Sequence, residues 1–430
     1  MFLVKVELIE MKRNVLIGII ISILVLSIFS VAIYFNLKDE LENNNGDDLE
    51  QIIITKDSDF TEKYHFQGNG TSLSPYIIEN LTISTKLEIA IGIYNVNSVF
   101  VIQKCSITAR RFCIYLFNIT EPGCIISDNV CAIDTRNVYG PEGVAIEINK
   151  SNGVLVFNNN CFTEFYFYDN VGILLNKSSF CDILNNTCSN FDIGISQTFM
   201  NSGWGVWSYD HPINNTIKGN YCFENQKGIY SFGSGFAEII DNYCFYNSRG
   251  IEVSHLLSYE NQTTKIRNNT CIFNYNGIKA TSLPLAEISG NNCSFNDAYG
   301  IQTYKCYGNI TRNTCQGNEN GLIFSTQNCS VFYNDFIDNK EYGVLTSDTA
   351  GEKWIFLNNF INNNLDGTEH GSAQAYDKDS DYLEDNINWY NPITLIGNYW
   401  SELIWDDEVI YVIDGGFNLD PYPVQYPINI

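Results

Sequence analysis

The residues best equipped for chemistry fall in two insertions of an otherwise regular chain. The step from a repeated glycine to the next repeated cysteine is 16 residues in the regular units at Gly172, Gly228 and Gly277, but 28 after Gly194 and 21 after Gly250. The first insertion carries Trp204, Trp207, Tyr209, Asp210 and His211, and the second His255, Tyr259 and Glu260. Aromatic faces beside carboxylates suit sugar binding, because a ring stacks on a sugar's apolar face while the acid takes its hydroxyls. His211 and His255 are two of the chain's four histidines, and with Asp210 or Glu260 they also make a candidate transition-metal set. The bland alternative is that the rings pack the insertions onto the scaffold. Asp377, Asp379 and Asp381 alternate like the start of a Ca2+ loop, the one cofactor reading on offer, although Tyr382 stands where such a loop needs glycine. Glu319 and Glu341 occupy equivalent turn positions, the spacing a glycosidase pair would need, but solvated turn carboxylates explain them as well. No residue is assigned a catalytic role.

The scaffold that positions these residues is a repeat. Glycine followed by Ile, Leu or Val recurs at Gly92, Gly143, Gly172, Gly194, Gly228, Gly250, Gly277, Gly300, Gly321 and Gly343. Upstream runs a second signal, Asn-x-Cys-x-x-Asn. Its first asparagine stands at Asn129, Asn159, Asn186, Asn220, Asn242, Asn269, Asn291, Asn313, Asn334 and Asn358. A period near 22 residues, filled with β-branched and aromatic runs punctuated by Asn and Gly, makes three short strands per turn. The expected fold is all-β, a right-handed parallel β-helix of about twelve coils. Ile195, Ile229, Ile251, Ile278 and Ile301 should form an inward column, and the asparagines should sit in left-handed turns with amides bonding adjacent coils.

Of the 14 cysteines, most share one repeated slot that Phe336 and Phe360 also occupy. Parallel stacked side chains do not offer disulfide geometry, so a reduced packing column is expected. The net charge is −25, and no Lys/Arg cluster stands outside the first 13 residues. That excludes a nucleic-acid partner, which needs a basic footprint.

Residues 1–14 read as cytoplasmic and 15–37 as a transmembrane anchor, with the uncharged run Val15–Phe35 as the membrane contact. Lys5, Lys12 and Arg13 precede it, which places residues 39–430 outside. A cleaved signal peptide and secretion is the rival reading, given Ser30-Val31-Ala32. Residues 38–50 form an acidic linker, 51–91 a cap with the first strands, 92–364 the repeats and 365–430 a closing segment. Twelve Asn-x-Ser/Thr sequons, Asn69 and Asn309 among them, make glycosylation an expectation for an exported chain.

The Asn-x-Cys and Gly-Ile coils resemble the NosD-like right-handed β-helix family, also described as carbohydrate-binding and sugar-hydrolase β-helices. Gly68-Asn69-Gly70-Thr71 with Pro75–Ile83 resembles the entry segment of archaeal surface proteins of this type, and Gly397-Asn398-Tyr399-Trp400-Ser401 their closing segment. The resemblance covers about residues 52–428. It implies the fold and three functions: a non-catalytic surface protein with glycan as ligand, a polysaccharide hydrolase or lyase, or a copper-delivery accessory. Where relatives carry an Asp-rich calcium loop after the closing motif, this chain has Glu402 to Glu408, and it shows no copper-type Met/His cluster.

Overall fold

The computed structural model describes residues 50–134, 143–164, 168–198, 212–255, 263–326, 328–346, 352–368, 370–377, 387–405, 409–415 and 418–430. The expected anchor over 15–37 lies outside the described residues. Among the described residues no helix is long and apolar enough to cross a membrane.

The chain from Leu49 onward forms one compact unit, a parallel β-helix of the right-handed type. Three walls run along it. The first is a 13-stranded sheet from Ile52–Ile54 to Ala375–Asp377; the second, also 13-stranded, runs from Tyr76–Glu79 to Ile387–Asn388. The third wall comes in an 8-stranded and a 4-stranded piece, Thr82–Ser84 to Thr270–Ile272 and Thr314–Gln316 to Tyr399–Trp400, joined by bridges through Asn292. The sheets hold one rung more than the expected twelve. They also run beyond residues 92–364 at both ends, because Ile52–Ile54 already pairs in register with Ile91–Ile93.

Side chains alternate in and out along each strand, and the parallel register turns every inward position into a column. Ile195, Ile229, Ile251, Ile278 and Ile301 stack as expected, all buried. So do Cys161, Cys188, Cys222, Cys244 and Cys271. All 14 cysteines are free and buried, and burial pushes the Cys188 and Cys271 thiols well above their usual range. The repeated glycine has a steric reason. A Cβ on Gly250 would stand 2.6 Å from the carbonyl oxygen of Gly277, so any side chain there would force adjacent rungs apart.

Two asparagine ladders tie the coils together. Asn242 donates its backbone N–H and its Nδ2 to Asn269 Oδ1, at 3.0 and 2.9 Å, and its Nδ2 also reaches Ile217 O at 2.9 Å. The same bonds repeat from Asn129 to Asn398. There the ladder ends on Asp420 Oδ2, 2.7 Å from the Asn398 N–H. A second ladder runs from Asn225 through Asn247, Asn274, Asn296, Asn318, Asn339 and Asn363 to Gln374. One detail differs from expectation. The left-handed residue is the one before each ladder asparagine except Asn398, for example Asp241 (φ 57°), Asn268 (φ 54°) and Arg312 (φ 54°). That bend turns the next amide inward, where water cannot compete and each bond contributes about 1 kcal/mol net.

The ends are closed by aromatic packing. Phe60, on the short helix Asp59–Glu62, stacks on Tyr76 at 4.5 Å. At the far end Trp400 stacks between Phe360 (4.1 Å) and Tyr411 (3.8 Å).

Candidate functional site

The expected insertion residues divide sharply. Trp204, Trp207, Tyr209, Asp210, His211, Tyr259 and Glu260 lie outside the described residues, as do Asp379 and Asp381. The strands that lead into the two insertions, Ile193–Thr198 and Arg249–Ser254, are two rungs apart in the first wall. His255 is only 5% exposed and its Nε2 lies 3.1 Å from Thr264 Oγ1. It packs the wall and does not present its ring to a surface ligand. Asp377 is likewise fully buried, accepting hydrogen bonds from Thr346 Oγ1 at 2.5 Å and Asn418 Nδ2 at 2.6 Å. Glu341 stands one rung beyond Glu319 and accepts from Asn320 Nδ2 at 3.0 Å, while Glu319 is exposed at the turn.

What the described residues do assemble is an aromatic ledge. On the outer face of the third wall Tyr221 stacks on Tyr243 and Phe223 on Phe245, each at 5.1 Å. They flank the inward cysteines as Tyr221-Cys222-Phe223 and Tyr243-Cys244-Phe245, so alternation alone points them outward. Phe245 meets Tyr246 edge-on at 5.9 Å, and Tyr246, Phe273 and Phe295 continue as a stacked file at 5.8 and 5.7 Å. Tyr243 is 45% exposed, Tyr246 52% and Phe295 37%.

The last three rings carry backbone strain. Tyr246, Phe273 and Phe295 have φ of 54°, 55° and 58°, a region costly for bulky side chains. At the same turn other coils place Asn190, Gly317, Asp338 and Asn362, residue types suited to it, and one coil places Glu224. The fold therefore needs the bend but not the rings.

Around the corner, on the outer face of the first wall, Glu252 is held by Arg249 Nη1 at 2.9 Å, Lys227 Nζ at 3.1 Å and Lys279 Nζ at 3.9 Å. Burial works to raise the Glu252 carboxyl, but Lys227 and Arg249 outweigh it and hold it below its ordinary value. Lys227 also lies 3.9 Å over the Tyr230 ring. Sequence reading saw neither feature, although the paired Tyr-Cys-Phe triplets were a visible signal for the ledge.

Residues 214–403, somewhat under half of the chain, match the family model described as periplasmic copper-binding protein (NosD). The chain is NosD-like. The matched stretch contains the whole ledge and all of the cationic cluster. No curated protein matches the chain. Among solved structures, the receptor-binding tailspike protein of bacteriophage Det7 is similar at 11% identity and a TM-score of 0.46, with 78% of this chain and 79% of that one covered. The catalytic domain of a GH87 α-1,3-glucanase gives 13%, 0.42, 81% and 70%. The A-module of a mannuronan C-5 epimerase from Azotobacter vinelandii gives 14%, 0.38, 75% and 82%. The described residues offer no donor set that fits the copper in the family's description. Among the described residues no three His, Cys, Asp or Glu side chains converge on a point where a metal would sit, and the stacked thiols are sealed in the core.

Proposed function

We propose that this NosD-like β-helix is a non-catalytic, extracytoplasmic glycan-binding protein whose ligand lies along the aromatic ledge of the third wall. One observation carries the reading: the file Tyr246, Phe273, Phe295 keeps two exposed rings and a half-buried one at left-handed backbone positions that asparagine or glycine would fill at lower cost. Rings stacked once per rung cover one another's inner faces and leave a continuous apolar strip of ring edges, against which the C–H faces of successive sugar rings pack. In this reading Val15–Phe35 anchors the rod to a membrane and the ledge faces outside.

The test exploits the strain. The triple substitution Tyr246→Asn, Phe273→Asn, Phe295→Gly places permissive residues at the bends, so folding should be unharmed or improved. Full-length protein in detergent is applied to a glycan array. Binding should fall roughly tenfold or more for each ring lost, as for aromatic anchors elsewhere. Unchanged binding by the triple variant would defeat the proposal. Release of reducing ends or unsaturated products from a bound polysaccharide would turn it toward the hydrolase or lyase alternative.

A further inference from the structure

From the cluster around the corner we infer that the glycan is acidic, its sugar rings bearing carboxylates that dock on Lys227, Arg249 and Lys279; this rests on the ledge being the glycan site. The argument begins with register. Lys227 pairs with Arg249, and Glu252 with Lys279, so residues far apart in sequence meet on three adjacent rungs. The outward positions of the strands from Lys227–Phe232 to Tyr299–Tyr304 are Lys227, Tyr230, Phe232, Arg249, Glu252, Ser254, Asn276, Lys279, Thr281, Tyr299, Gln302 and Tyr304. Three are cationic and one is anionic, on a chain whose net charge is −25.

That local excess is built, not incidental. The side chains of Lys227, Lys279 and Glu252 are 18%, 31% and 13% exposed, so the ammonium groups are partly withdrawn from water and screened less than free surface lysines. Glu252 draws all three cations toward one point. A single carboxylate cannot neutralise three cations, and the remainder is a focus of positive potential. Arg249 adds a planar fork suited to a second carboxylate.

The cluster is continuous with the ledge. Tyr246 precedes Arg249 by three residues across the corner and Phe273 precedes Asn276 by the same step. Tyr299 stands in register with Asn276, and Asn276 with Arg249, and Tyr275 is exposed on the turn between the two faces. A sugar packed against the corner rings thus lies on the same rungs as the cations. Neutral glycans would use the ledge alone; uronate-bearing ones would use both.

The experiment measures binding of the full-length protein to a polyuronate, a neutral glucan and dextran sulfate, with EDTA present so that no divalent ion bridges. The wild type should prefer polyuronate at least tenfold over the glucan, with the preference shrinking as salt rises. Arg249→Gln with Lys279→Gln should erase that preference and leave glucan binding unchanged. Glu252→Gln should tighten polyuronate binding several-fold, a gain that misfolding cannot produce. Equal binding of polyuronate and glucan by the wild type, or retention of the preference by the double variant, would overturn the inference. Dextran sulfate binding as tightly as polyuronate would overturn its carboxylate assignment. If the triple ledge variant keeps polyuronate binding while the cation variant loses it, the ledge reading falls and the cationic site stands.

Discussion

Asp420 closes the longer asparagine ladder, and its titration should be readable in the stability of the whole rod. The carboxylate is fully buried and accepts from the Asn398 N–H, the Trp400 indole N–H at 3.0 Å and the Tyr422 N–H at 3.1 Å. Burial dominates those bonds and raises its pKa from 3.8 to about 6. A carboxyl that is harder to ionise when folded stabilises the fold in its protonated form. That contribution is complete below about 3.8 and lost as pH rises through about 6. Its full size is roughly 3 kcal/mol, of which roughly 1.4 kcal/mol should be present at pH 5 relative to pH 7.5. In Asp420→Asn the ladder keeps an acceptor for Asn398 but nothing titrates. Urea unfolding of both proteins at pH 7.5 and pH 5 isolates the group, because every other carboxyl is common to the pair. The stability of the wild type relative to the variant should rise by about 1.4 kcal/mol on acidification. A difference that does not change, or that moves the other way, would refute the account of Asp420 as a desolvated cap.

Two further outcomes are expected. Lys353 is fully buried, in register with Cys329 and Ile387, and its Nζ has no hydrogen-bond partner among the described residues. Lys353→Met should therefore stabilise the rod by about 1–3 kcal/mol in urea unfolding, and a loss of stability would show that the ammonium is held by a compensating charge. Native protein should also react with thiol reagents at almost none of its 14 cysteines and at all of them once unfolded without reductant. A count short by several pairs would mean disulfides.

The fold was legible because its cause is periodic. Gly-Ile, Cys and Asn each recur at one place in the coil, and a parallel solenoid converts equal spacing directly into columns, so Ile229 over Ile251 could be read without coordinates. The ladder's last member could not, because Asp420 follows no repeat and reaches Asn398 only through the closing segment. The site was less legible for two reasons. Attention to the insertions passed over Tyr221, Phe223, Tyr243 and Phe245, which flank the very cysteines that announced the repeat. The cationic cluster left no local trace at all: Lys227, Arg249 and Lys279 are separated by 22 and 30 residues, and only register brings them to Glu252.

The ladders also decide how the rod ends. In both, each backbone N–H donates to the Oδ1 of the next member toward the closing segment, and each Oδ1 accepts from the member before it, so a further coil arriving at the closing end would have to offer an acceptor to the last asparagine. Asp420 already fills that position on one ladder and Gln374 on the other. On these two ladders a second molecule approaching end-on meets acceptors already engaged, beside the Trp400 stack. A stack of identical strands is otherwise the geometry of a fibril, and an uncovered last coil would template one. The two side chains thus act as a chain terminator, keeping a structure that repeats like a polymer from becoming one.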